Sequence, residues 1–220
     1  MRVGIAAVLF DLDGTLVDSA PDLAGTVNDM LSWRSRSPVP YAELRPHAGS
    51  GARGMLAVAF GAAPGQLGYE ALRDEFHDHY ATRMLRHTRS FAAVVDVLQA
   101  LDRHGVPWGI VTNKALRFAT PVVDALGLIG RVPVVGGDST AHTKPHPAPL
   151  LEAARRLGVA AAGCVYVGDD HRDMRAGRAA GMGTLAAAWG YLGSADEALT
   201  WGADAVLAQP EDLLHWLELP

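Results

Sequence analysis

Apolar positions in this chain fall into two rhythms. Short runs of consecutive apolar residues at 3–10, 106–112, 132–135, 163–168, 184–188 and 203–207 read as buried strands. Between them "AAVVDVLQALDRHG", "RFATPVVDALG", "PAPLLEAARRLG" and "RDMRAGRAAG" repeat apolar residues at helical spacing, each ending at or near a glycine suited to a left-handed C-cap. Strands alternating with helices predict an α/β fold with a parallel sheet. Residues 16–88 break that alternation and read as successive helices at 22–33, 41–47, 53–60 and 70–86, with "SRSPVP" and "GAAPG" as turns. The expected organisation is a core of residues 1–15 and 89–220 with a helical insert at 16–88. An insert after the first strand would lie over the carboxyl ends of the strands, where open α/β sheets bind ligands. There is no internal repeat.

Composition narrows the function classes. A chain of 220 residues that is 49% hydrophobic buries a sizeable core, and a net charge of −5 offers no basic surface for nucleic acid or anionic lipid. The apolar start runs into Asp11 without a cleavage-site pattern, and no apolar stretch reaches membrane-spanning length, so a cytoplasmic protein is expected. Cys164 is the single cysteine, which excludes an internal disulfide and a cysteine metal site and reads as a buried, inert thiol. Of 19 basic residues only Lys114 and Lys144 are lysines. Where arginine supplies nearly every other positive charge, a compact ammonium suggests a point contact with phosphate or carboxylate.

The predicted strands end in polar groups. The first leads to Asp11 and Asp13, the second to Thr112 and Asn113, and the fourth to Asp169 and Asp170, with Asp173 one helical turn on; Lys144 sits in the loop "HTKPHP". In a parallel sheet these groups meet at one edge. Converging acids repel unless a cation is bound, and ligation by oxygen alone points to Mg²⁺. Each motif also has an ordinary reading: "DLDGT" as a strand-to-turn exit, Thr112 and Asn113 as a helix cap, Lys144 as a solvated charge, and Asp169, Asp170 and Asp173 as acids at a helix N-terminus. All four coinciding at strand ends favours a catalytic site. "GSGARG" at 49–54 matches a dinucleotide fingerprint only in letters, because no apolar strand precedes it.

"DLDGT", "TN", the lysine and "GDDHRD", in that order, resemble the four motifs of the haloacid dehalogenase superfamily across essentially the whole chain. Longer stretches such as "VYVGDDHRDMRAGRAAGM" are similar to bacterial phosphoglycolate phosphatases and to the related N-acetylmuramic acid 6-phosphate phosphatases; Asp170, where a serine is common, resembles the latter branch. The resemblance implies a Rossmann-like parallel sheet with a helical cap at 16–88, and a Mg²⁺-dependent phosphatase acting on a small phosphorylated metabolite. It implies Asp11 as nucleophile, Asp13 as general acid and base with its carbonyl on the metal, and Gly14 turning the backbone toward the phosphoryl group. Thr112 and Asn113 would bind that group, Lys144 would balance charge, Asp169 would complete the metal set of Asp11 and Asp13, and Asp170 and Asp173 would support it. Residues 47–53, "HAGSGAR", are expected to form a cap loop whose Arg53 meets a substrate carboxylate. Rival readings are a sugar-phosphate mutase, which needs the same core, and a phospho-receiver, which would carry its aspartate on a later strand. A dehalogenase would leave Asp13 and Asp169 unexplained, and a Schiff-base phosphonatase would need a lysine that 16–88 lacks.

Overall fold

Ala7, Val8, Leu9 and Phe10 are all buried and form β1 (Ala7–Phe10), a strand covered on both faces as its unbroken apolar run requires. The computed structural model describes residues 2, 4–128, 130–192 and 195–219, so Val3, the expected start of this strand, lies outside the described residues. After β1 come β2 (Val17–Asp18), α1 (Ala20–Trp33), α2 (Tyr41–Leu44), a 3₁₀ segment (Arg45–Ser50), α3 (Gly51–Phe60), α4 (Tyr69–Arg83) and β3 (Arg89–Ser90). The chain then alternates through α5 (Val94–Arg103), β4 (Trp108–Val111), α6 (Leu116–Ala125), β5 (Val134–Val135), α7 (Ala148–Leu157), β6 (Cys164–Gly168), α8 (His171–Ala179) and β7 (Gly183–Ala187). It ends with α9 (Ala195–Leu199), β8 (Ala205–Leu207) and α10 (Asp212–Trp216).

Among the described residues six parallel strands form one sheet in the order β5-β4-β1-β6-β7-β8. That is the doubly wound Rossmann order, whose switch point lies between β1 and β6. Alternate strand residues serve opposite faces. Val8, Phe10, Val165 and Val167 join the layer of α5, α6 and α10, while Ala7, Leu9, Cys164 and Tyr166 join that of α7 and α8.

α1, α3 and α4 close around a separate apolar cluster that includes Val27, Met30, Leu56 and Phe76, to which α6 adds Phe118 and the segment after β7 adds Tyr191. The chain leaves the sheet for these helices and returns through β2 and β3, an antiparallel pair of two residues each. Fully buried Asp22 fastens this crossing: its Oδ2 accepts from the backbone N–H of His87 at 2.9 Å, and from the N–H and hydroxyl of Thr88 at 2.8 and 2.9 Å. No helix among the described residues is long and apolar enough to cross a membrane.

Candidate active site

The turn after β1 is built around the Leu12 carbonyl, which accepts from Leu16 N at 2.9 Å and Val17 N at 3.0 Å. Gly14 is required there twice over. Its φ is +83°, and a Cβ at that position would sit 2.1 Å from Asp169 Oδ2. Leu12 is fully buried in the α5 and α6 layer, so the two acids flanking it project away from the core, on the side of the neighbouring strand ends. Asp11 Oδ1 accepts from Leu12 N at 2.7 Å and pairs with Lys144 Nζ at 2.9 Å.

Lys144 reaches this point because its loop is clamped. The Asn113 side chain, just beyond β4, donates to the Lys144 carbonyl at 3.0 Å and accepts from its N–H at 2.9 Å. The lysine is 4% exposed, and its ammonium lies 2.8 Å from Asp173 Oδ1, 2.8 Å from the Tyr166 hydroxyl and 3.1 Å from the Val111 carbonyl. Burial opposes its charge, but Asp11 and Asp173 outweigh that and raise its pKa. Thr112 Oγ1 accepts from Lys114 N at 3.2 Å, turning the chain at the end of β4.

At the end of β6 the two adjacent aspartates separate. Asp169 is buried; it accepts from Thr15 Oγ1 at 3.1 Å and Tyr191 N at 2.9 Å and has no cationic partner among the described residues. Asp170 is instead the N-cap of α8: Oδ1 accepts from Arg172 N at 2.8 Å, its own N–H donates to Asp173 Oδ2 at 3.1 Å, and its carboxylate pairs with the Arg172 guanidinium at 2.7 Å. Its charge is therefore spent on α8 and Arg172, and it stands outside the acidic group. That group is Asp11, Asp169 and Asp173, each with one oxygen within 4.8 Å of the others. The sequence reading gave Asp173 only a supporting place, where the structure sets it within the acidic group; the Asp13 carboxylate lies outside that group, and the metal role expected of Asp13 is for its backbone carbonyl.

These acids fit a hard divalent cation. Burial first, then Asp11 and Asp173, drive the Asp169 carboxyl well above the ordinary range. Burial pushes Asp11 up to about 7 despite the opposing pull of Lys144. Oxygen donors, excess negative charge and the absence of histidine or cysteine suit Mg²⁺. A pH dependence follows. Asp11 ionises near 3.8 in the unfolded chain and near 7 in the fold, so without metal the folded state binds more protons across that window and stability falls as pH rises through it. Thermal melts in chelator and in Mg²⁺ should separate progressively from about pH 4 to 8; a separation independent of pH would contradict this origin.

Asp13 lies on the other side of the turn. Its Oδ1 accepts from Ser19 Oγ, and its two oxygens lie 2.7 and 2.9 Å from Lys114 Nζ. A cavity of about 350 Å³ has Asp11, Asp13, Thr112 and Lys144 on its core wall, and Arg53 and Tyr80 on the wall formed by α3 and α4. Residues 47–53 are not a loop: the 3₁₀ segment, opened by Pro46, passes directly into α3 at Gly51. Arg53 is exposed on that helix and makes no hydrogen bond or ion pair among the described residues. Two arginines tie the walls together. Arg172 donates to the Gly49 carbonyl at 2.7 Å, and Arg45 donates to that of Gly190 at 3.1 Å.

Sequence reasoning missed Ser19, Tyr166 and Tyr191 as parts of this site, and it gave Lys114 no role beyond a point contact with phosphate or carboxylate. Only the scarcity of lysine pointed to Lys114.

Comparison with known proteins gives a consistent picture. Residues 5–181 match the family model of haloacid dehalogenase-like hydrolases. A phosphoglycolate phosphatase of Xanthomonas campestris pv. campestris is 50% identical over 208 residues, covering 94% of each chain. An N-acetylmuramic acid 6-phosphate phosphatase of Pseudomonas aeruginosa is 38% identical over 218 residues, covering 99% of this chain and 96% of its own. A haloacid dehalogenase-like hydrolase of Streptococcus pneumoniae superposes with a TM-score of 0.84 at 22% identity, over 98% of this chain and all of its own, a likeness of fold.

Proposed function

Since the chain belongs to the haloacid dehalogenase-like hydrolase family, we propose that it is a Mg²⁺-dependent phosphatase that cleaves a small phosphate monoester through a phosphoryl group carried on Asp11, with 2-phosphoglycolate the favoured substrate. The observation that carries this reading is the meeting of Asp11, Lys144, Asp169 and Asp173 at the β1/β6 switch point, with Asp13 across the same turn.

In the first step an Asp11 oxygen attacks phosphorus, the ester P–O bond breaks, and the leaving oxygen takes a proton from the Asp13 carboxyl. In the second, water gives a proton to Asp13 as its oxygen attacks phosphorus; the bond to Asp11 breaks and inorganic phosphate departs. Lys144 holds the nucleophile and meets the phosphoryl charge, and the Thr112 hydroxyl and the Asn113 backbone orient its oxygens beside the turn at Gly14. Asp11, Asp169 and the Asp13 carbonyl, with Asp173 alongside, would hold Mg²⁺, which would offset the negative charge gathered there.

The second reading is N-acetylmuramic acid 6-phosphate. It is favoured by a cavity roomy enough for a sugar and by Arg53, an unpaired cation on the far wall able to meet the distant carboxylate of such a substrate. Measuring kcat/KM with Mg²⁺ for both esters decides between them: a clear preference for the sugar phosphate moves the assignment to it, and inertness toward every monoester removes the phosphatase reading. Asp13→Asn adds a mechanistic check. Its loss should be larger for an alkyl phosphate than for p-nitrophenyl phosphate by roughly 10²-fold, because a poor leaving group needs the proton. Equal losses would deny Asp13 the acid role.

A further inference from the structure

The ammonium groups of both lysines of the chain reach the acids of the turn after β1. Lys144 is accounted for by Asp11 and Asp173, and Lys114 is not. Its Nζ lies 2.7 and 2.9 Å from the two Asp13 oxygens and 5.0 Å from the centre of the Tyr80 ring, and its side chain is 9% exposed. Resting on the phosphatase reading, we propose that Lys114 is a specificity-determining residue that recognises a carboxylate on the carbon bearing the leaving oxygen, and that binding this carboxylate frees Asp13 for its work.

The geometry leaves little choice about where such a carboxylate falls. The leaving oxygen must come within hydrogen-bond reach of Asp13 to receive its proton. A carboxylate one carbon away lies within the same few ångströms, where the Lys114 ammonium already stands. Without substrate, Lys114 and Ser19 hold the Asp13 carboxylate between them. A substrate carboxylate gives the ammonium an equivalent anion, and Asp13 can turn to the leaving oxygen. An ester lacking that group leaves Lys114 on the very residue the reaction needs.

Tyr80 supplies the second donor. Tyr80 is 2% exposed and on the cavity wall, and its hydroxyl, beside the Lys114 ammonium, has no acceptor for its proton among the described residues. A buried hydroxyl without an acceptor is costly, and a ligand oxygen beside Lys114 would satisfy it. The other cations near the cavity are engaged or remote: Arg73 pairs with Glu70 and Asp74, Arg172 with Asp170, and Arg117 meets His77, while Arg53 contacts neither Asp13 nor Lys114.

The test compares 2-phosphoglycolate, 2-hydroxyethyl phosphate, which replaces the carboxylate by an alcohol, and 3-phosphooxypropanoate, which moves it one carbon further. The native enzyme should prefer 2-phosphoglycolate to each by roughly 10- to 100-fold in kcat/KM, the worth of one charge-assisted contact. Lys114→Met should bring the ratios to within a few-fold of unity, raising KM for 2-phosphoglycolate, whereas a residue that merely braced Asp13 would depress all three esters alike. Tyr80→Phe should narrow the preference by a smaller factor. A native enzyme that turns over all three equally, or a preference that survives in Lys114→Met, overturns the inference and leaves the phosphatase reading standing. The native series decides the matter alone if the Lys114 variant does not fold, and a native enzyme inert toward all three and toward the sugar phosphate overturns the phosphatase reading itself.

Discussion

Replacing Asp11 by asparagine should give a folded protein whose phosphatase turnover is lower by at least about 10³-fold, since the carboxamide matches the carboxylate in shape and lacks its nucleophilicity. The charge removed is one the fold carries at a cost: burial holds the Asp11 carboxyl up near 7 even beside Lys144. The metal-free variant should therefore melt no lower than the native protein at neutral pH. Acid quenching during turnover of labelled substrate should leave label on the native chain and none on Asp11→Asn. A variant with near-normal rate, or label retained on it, would show that phosphorus is not transferred to Asp11.

Lys144→Met should be the most damaging single substitution for stability. The ammonium is the shared partner of Asp11 and Asp173, and removing it leaves two carboxylates close to each other and to Asp169. Removing one member of a buried ion pair costs about 3–5 kcal/mol. Chemical denaturation in chelator should show a loss of that size, with Mg²⁺ recovering part of it, because a divalent cation opposes the same excess of negative charge. Activity should fall by roughly 10²- to 10³-fold even under saturating Mg²⁺, since the charge facing the phosphoryl group is gone. Asp173→Asn in the same chain should return some of the stability, as expected of groups that interact directly. A Lys144→Met protein within about 1 kcal/mol of native stability in chelator would contradict this balance of charge.

The sheet was legible because its strands are buried on both faces. Unbroken runs such as "AAVLF" and "CVYVG" leave little choice but a central parallel strand, and all six expected strands appear, most of them trimmed at their ends where turns begin. β2 and β3 escaped notice because two residues carry no periodicity; their pairing depends on a contact between residues 17–18 and 89–90. Within the site, Asp11, Lys144 and Asp169 stood out because acids and a lone lysine beside apolar strands are conspicuous. Tyr191 did not. It donates its N–H to Asp169 and accepts at its hydroxyl from Ser19 N at 2.6 Å and Ala20 N at 3.1 Å, contacts from more than 170 positions away in the case of Ser19 and Ala20. Asp170 was legible only in part: in sequence it is one acid of a pair, read as a supporting residue or as an acid at a helix N-terminus, and the start of α8 shows its carboxylate capping the helix and pairing with Arg172.

Asp169 stands in a slot between two glycines. A side chain at Gly14 would reach to 2.1 Å from its carboxylate and one at Gly190 to 2.2 Å from its Cβ. The floor of the pocket thus tolerates almost no mutational drift, because even a methyl group at either glycine displaces the acid. The opposite wall is freer at its exposed positions: Arg53 is exposed, and its helix packs through other residues such as Met55 and Leu56, although a Cβ at the buried Gly54 beside it would lie 2.3 Å from the His47 carbonyl oxygen. For directed evolution this divides the molecule cleanly. A library confined to the wall facing the sheet explores new alcohol portions of the ester while inheriting the phosphoryl chemistry intact, and one that includes the glycines spends most of its members on inactive chains.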